Sequence, residues 1–177
     1  MASKAGVYAI EVEPAALKNL IRTLNMLPKD FQNEIRDAAQ PMSQRLAGQL
    51  MMSAMAAPSP QTRLLANAKA IKTPRDRLIR VDVGGSTKVG RKYGGVKNSR
   101  GTLTKQNSAP AGALLWGTEY GSHSGVDSLG RRYTNRFKVA KSRRGYWIAP
   151  AVDYYTPIVA KEYIDMVQSV IKKERLD

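Results

Sequence analysis

The chain has 177 residues with 42% hydrophobic content and no cysteine. That suffices for one domain with its own core, and it excludes a disordered chain, a disulfide scaffold, thiol catalysis and thiolate metal sites. The formal net charge is +15, which favours polyanions or acidic protein surfaces as partners. The excess is local: residues 63–144 hold 19 Lys/Arg against 4 Asp/Glu, whereas residues 1–62 sum to +1 and residues 145–177 to −1.

The first residues, MASKAGVYAIEVE, lack the apolar run of a signal peptide, and no stretch approaches a spanning helix, so a soluble, unexported protein is expected. Glu13-Pro14 reads as a helix start, with Leu17, Leu20, Ile21 and Leu24 at helical spacing. Pro28 opens a second helix or kinks the first. Phe31, Ile35, Ala38, Met42, Leu46 and Leu50 then form one apolar stripe, with Pro41 inside it and Pro58 and Pro60 ending it. The helical segment is thus expected over 13–57, and the cluster Met51, Met52 and Met55 reads as helix packing in preference to a promiscuous groove.

The stretch LLANAKAIK from Leu64 is a short helix or a strand, the helix being preferred. RLIRVDVGG alternates Ile79, Val81 and Val83 against Leu78, Arg80 and Asp82, the pattern of a half-buried strand closing on a glycine turn. Two basic, glycine-punctuated segments at 86–111 and 121–144 read as long loops, the first also as an extended hairpin. Between them ALLWGTEY reads as a strand or a short helix edge. YWIAPAV is expected to be a short buried strand or turn stopping at Pro150. A closing helix is expected over 156–175, with Ile158, Tyr163 or Ile164, Val167 and Val170 or Ile171 inward. The expected whole is a single α+β domain over 1–177: a long N-terminal helical segment and a C-terminal helix packed on a small antiparallel β-sheet within 77–149, with two long basic loops.

Catalytic chemistry finds no partners in this sequence. The single histidine, His123, lies between glycines in GSHSG, and without a second histidine no two-histidine zinc site forms. Ser122, Ser124 and Asp127 flank it, but sequence proximity is not triad geometry. GSTKVGRK lacks the Gly-Lys-Ser/Thr ending of a phosphate-binding loop. No enzyme, no cofactor and no metal are expected. Tyr93, Tyr133 and Phe137 among the Lys and Arg of the loops either stack on bases or fold back onto the core. Trp116 and Trp147 are core residues by default, although tryptophan is also over-represented at interface hot spots.

Taken in order, several stretches resemble one family. They are LPKDFQNEIRDAAQPMSQRLAGQLMMSAMAAPSP, the strand RLIRVDVGG, the glutamate-aromatic-glycine stretch LLWGTEYGS, the aromatic-proline stretch GYWIAPAV, and the closing YYTPIVAKEYIDMVQSVIKK. The succession resembles the neck and tail-completion proteins of long-tailed bacteriophages, which sit between the capsid portal and the tail tube. It spans most of the chain, each motif being short. The resemblance implies a virion structural subunit of the head-tail connection, either a neck protein or a tail terminator, assembled in the host cytoplasm into a sixfold ring. Implied partners are copies of itself, the adjacent head-side connector and tail-tube proteins, and packaged DNA, with no membrane. A basic nucleic-acid-binding protein is the alternative that the charge supports.

On the ring reading, GALLWGTEYGS is a sheet segment near a subunit boundary, where Gly117 and Gly121 permit turns or close approach and Trp116 and Tyr120 pack. Glu119 is expected to pair with an arginine of its own or a neighbouring subunit, so that Glu119→Gln leaves the subunit folded and impairs the ring. The interface candidates are Lys88, Arg91, Lys92, Trp116, Glu119, Tyr120, Arg131, Arg132, Arg143, Arg144 and Trp147.

Overall fold

Alternation in IRVDVG builds the centre of the main sheet. The computed structural model describes residues 7–12, 28–67, 69–89, 109–126, 128, 130, 132–135 and 137–174. Strand β3 (Ile79–Gly84) buries Ile79, Val81 and Val83 completely. Arg80 and Asp82 on its other face pair with each other at 2.9 Å. Strand β1 (Val7–Val12) runs antiparallel to β3 from Val7↔Gly84 to Val12↔Ile79. Strand β2 (Ile71–Lys72) covers the opposite edge, pairing Ile71 with Val83. The order β1-β3-β2 draws strands from both sides of a long helix.

That helix, α1 (Lys29–Ala56), begins directly after Pro28 and runs through Pro41, which lies on its exposed side. Its buried line is Ile35, Ala39, Ser43, Leu46, Ala47, Leu50 and Ala54. Relative to the predicted stripe, Ala39 and Ser43 replace Ala38 and Met42 at the sheet. Small side chains let the helix axis approach the strands closely. Ser43 fixes the contact: its hydroxyl donates to Ala39 O and accepts the Arg80 N–H, each at 3.2 Å. The predicted residues 13–27 of the helical segment lie outside the described residues.

After α1, LLANAKAIK forms no regular α-helix. A single 3-10 turn (Thr62–Leu64) leads into β2, because Asn67 accepts the Lys69 and Ala70 N–H groups and turns the chain instead. Short antiparallel pairs occupy both basic loops. Strand β4 (Lys88–Val89) pairs with β5 (Ala109–Pro110), and β6 (Gly125–Val126) with β7 (Arg132–Tyr133).

Two predictions for the second half are corrected. GALLWGTEYGS is helix α2 (Ala111–Tyr120), not a sheet segment. Pro110 precedes it, and the Ala111 and Gly112 N–H groups bond to Thr87 O and Gly85 O, which answers two of the unpaired donors at a helix start. The closing helix α3 (Ile148–Glu174) begins eight residues earlier than the predicted 156 and absorbs IAPAV. Pro150 falls in its first turn, where no intrahelical donor is needed.

Helix α3 lies antiparallel on α1. Ser53 Oγ donates to Trp147 O at 2.9 Å, Arg45 pairs with Glu162, and Lys173 meets Glu34 at 3.2 Å. Val159, Tyr163, Val167 and Val170 face inward, whereas Ile158, predicted inward, is exposed. Tyr163 donates its hydroxyl to Arg77 O at 2.6 Å. Burial pushes this phenol up to about 12; the Arg77 charge opposes the shift and Asp76 adds to it. The architecture is α+β, with the long helix and the C-terminal helix packed over a small antiparallel sheet.

Candidate functional site

Helix α2 and the segment that wraps its C-terminal end organise the candidate residues. Glu119 is buried and points at the start of α3. Its Oε2 accepts the N–H groups of Ile148 at 2.8 Å and Trp147 at 3.2 Å, and its Oε1 accepts that of Ala149 at 2.9 Å. The expected arginine partner is therefore corrected: one carboxylate caps a helix from another part of the chain, where its charge also suits the positive helix end. Gly145 (φ +78) makes the approach possible, since a Cβ there would stand 2.0 Å from Glu119 Oε1.

Trp147, named as an interface candidate, is completely buried in the core. The other tryptophan does the reverse. Trp116 is 70% exposed and stacks on Tyr120, with ring centroids 5.1 Å apart at 28°. The cavity beside this pair holds only about 20 Å³, room for a single water and not for a substrate.

Residues 137–147 form a strap across the end of α2. The Phe137 ring lies where a Gly117 side chain would stand, and Ala140 O is 1.9 Å from the position of a Gly121 Cβ. The predicted close approach at both glycines is thus present, made by the strap. Of the loop aromatics, Phe137 has folded back, while Tyr93 and the side chain of Tyr133 lie outside the description. Arg132, Arg143 and Arg144 are exposed, as is Lys88 on β4. Arg91, Lys92 and Arg131 lie outside the described residues.

Around the histidine, Ser122 Oγ donates to His123 O and Ser124 Oγ accepts the Asn135 N–H at 2.9 Å. Both hydroxyls serve the loop backbone. Among the described residues no group of three His, Asp or Glu is placed to hold a metal ion, and no helix is long and apolar enough to cross a membrane.

A second surface escaped the sequence analysis. Where α1 and α3 run side by side, Met52, Ala56, Pro150, Ala151, Tyr154 and Tyr155, with the polar Gln49 and Ser53 among them, line an open groove of about 480 Å³. Met52 (57%), Met55 (63%), Tyr154 (67%) and Ile158 (48%) stand out into solvent along these helices. This corrects the reading of the Met cluster: Met51 packs against the core, and its two neighbours do not. The signal was present in the sequence as apolar residues beyond the width of one buried stripe.

No protein-family model, curated protein or solved structure matches the chain. The functional reading therefore rests on these surfaces and on the motif succession.

Proposed function

We propose that this protein is a structural subunit of a bacteriophage head-to-tail connection, a neck or tail-terminator protein that works as a ring, hexameric by the resemblance, and not as an enzyme. The observation that carries the reading is the apolar face between α1 and α3. Large side chains exposed together on a domain whose core is already filled mark a surface that another molecule covers. The occupant we assign is a second copy of the chain. Copies carrying +15 repel one another, and α1 and α3 come from the two near-neutral ends of the sequence. Their groove is where such subunits meet at least electrostatic cost. Contact between this face and a different patch of the next copy is heterologous, and such contacts close into rings when the rotation permits.

Sedimentation velocity and electron microscopy of the purified chain test the proposal. Wild-type protein is expected to form closed oligomers as its concentration rises. Tyr154→Lys and Met52→Lys, both at exposed positions, are expected to stay folded and monomeric. A wild-type chain that remains monomeric up to its solubility limit, or a Tyr154→Lys variant that assembles unchanged, overturns the reading.

A further inference from the structure

The strap at 137–147 combines a fixed backbone with unpaired charge. Ser142 N–H donates to Tyr120 O at 2.8 Å and Ser122 N–H to Val139 O at 3.2 Å. The Asn135 amide donates to Ser122 O and Val139 O at 2.6 and 2.7 Å. Tyr146 donates its hydroxyl to Ala140 O at 3.0 Å. The cations Lys138, Lys141, Arg143 and Arg144 on this scaffold are exposed, and none forms an ion pair among the described residues.

Lys138 adds a second observation. It is the one non-glycine residue with positive φ among the described residues, at +57. A left-handed conformation strains an ordinary residue, and glycine or asparagine relieves it. Lysine at this position puts a cationic side chain on a strained turn of backbone, the kind of outlier from which a functional role is inferred. A merely solvated basic loop requires neither the strain nor the hydrogen-bonded backbone.

The third observation is what the strap borders. Ser142 is bonded to the last residue of α2, Tyr120, whose ring carries the exposed indole of Trp116. With its Tyr120 side covered and 70% of the residue in water, Trp116 offers an aromatic face on the helix whose C-terminal end the cationic strap crosses. A protein-protein hot spot sits instead amid apolar neighbours that exclude water. Trp116 has Leu115 and Ile148 beside it, but at 70% exposure its ring is not shielded from water. Cations that track a phosphate backbone beside rings that stack on bases are the features of a single-strand binding surface.

We propose that Lys138, Lys141, Arg143 and Arg144, together with the Trp116–Tyr120 pair, form a docking site for single-stranded nucleic acid, the cations taking phosphates and Trp116 taking an unpaired base. The site differs in kind from the apolar groove, which it adjoins where Ser53 on the groove wall donates to Trp147 O at the end of the strap.

The test is fluorescence anisotropy of a labelled oligothymidylate titrated with the full chain at several KCl concentrations, read together with tryptophan emission. Each phosphate contact to a single strand contributes about 0.7 to the slope of log affinity against log salt. Arg143→Gln/Arg144→Gln is expected to flatten the wild-type slope by about 1.4, and the variant with all four cations replaced by glutamine by about 3. Trp116→Ala is expected to weaken binding about ten-fold at unchanged slope, the loss of one stacked base. Wild-type emission is expected to be quenched by the oligonucleotide. Trp116→Phe should keep most of the affinity and lose the quench, because Trp147 is buried. Thermal melting identifies variants that remain folded, and the double variant suffices if the quadruple one does not fold. Folded variants that bind like wild type overturn the proposal. So do equal affinities for single strand and duplex without quenching, absence of binding at low salt, or preference for polyglutamate, which would mark an acidic protein surface as the ligand.

Discussion

Replacing Glu119 by alanine removes the acceptor for three backbone N–H groups at once. The Trp147 and Ile148 residues behind two of them are buried and that of Ala149 is half-buried. A buried donor left unpaired costs about 1–3 kcal/mol, and the lost charge at the helix start adds about 0.3–1 kcal/mol. Water reaching Ala149 lowers the sum, so the expected loss is about 3–5 kcal/mol. A domain of this size has about 5–15 kcal/mol in total, and its melting temperature should fall by roughly 10 °C. Equilibrium urea unfolding followed by circular dichroism and by Trp147 emission measures both the loss and its cooperativity. Glu119→Gln keeps one carbonyl oxygen but turns an NH2 group toward a donor, so an intermediate loss of about 2 kcal/mol is expected. The glutamine variant is still expected to fold, as the sequence-based expectation had it, but with reduced stability. An alanine variant within about 1 kcal/mol of wild type would refute the cap as a determinant of stability.

Gly145→Ala should destabilise by at least about 2 kcal/mol, through its positive φ and its collision with Glu119. Combined with Glu119→Ala it should cost less than the two losses added, and strict additivity in a double-mutant cycle would show the positions to be uncoupled. Tyr163 gives an alkaline signature. Its folded pKa of about 12 lies above the ordinary value of 10.0, so its contribution is complete below pH 10 and is lost as pH rises toward 12. That loss reaches about 2–3 kcal/mol, and Tyr163→Phe should abolish this part of the pH dependence while costing about 1 kcal/mol at neutral pH. Lys138→Gly should raise stability by about 0.5–1 kcal/mol, the relief of left-handed strain less the entropy of glycine, and still weaken oligonucleotide binding. A melting temperature lowered by that change would show the lysine to be there for the fold.

How far the fold was legible depends on whether the signal was local. Alternation in IRVDVG and the stripe through Ile35, Leu46 and Leu50 are periodicities within one element, and the structure has both. The sequence leaves helix α2 open between a strand and a short helix edge, and the ring reading takes the wrong one, because two glycines and a tryptophan weaken its helical propensity and its start is secured by Thr87 and Gly85 on a separate turn. The early start of α3 was hidden for the same reason: Glu119, nearly thirty residues upstream, caps it. VYAIEV has no apolar–polar alternation to mark it, and becomes a strand only by pairing with β3. The site divides similarly. Basic residues and Trp116 are visible in composition, whereas the strap that orders them and the groove between α1 and α3 exist only once distant segments meet.

The pairing of β1 with β3 has a consequence for biosynthesis. Strand β1 leaves the ribosome before its partner, which follows roughly 70 residues downstream, several seconds later at about 5–20 residues per second. Until then its edge is open to any other nascent chain, so dense polysomes favour mispairing. Slower initiation, or a co-translational chaperone holding β1 until β3 is made, should raise the yield of native protein.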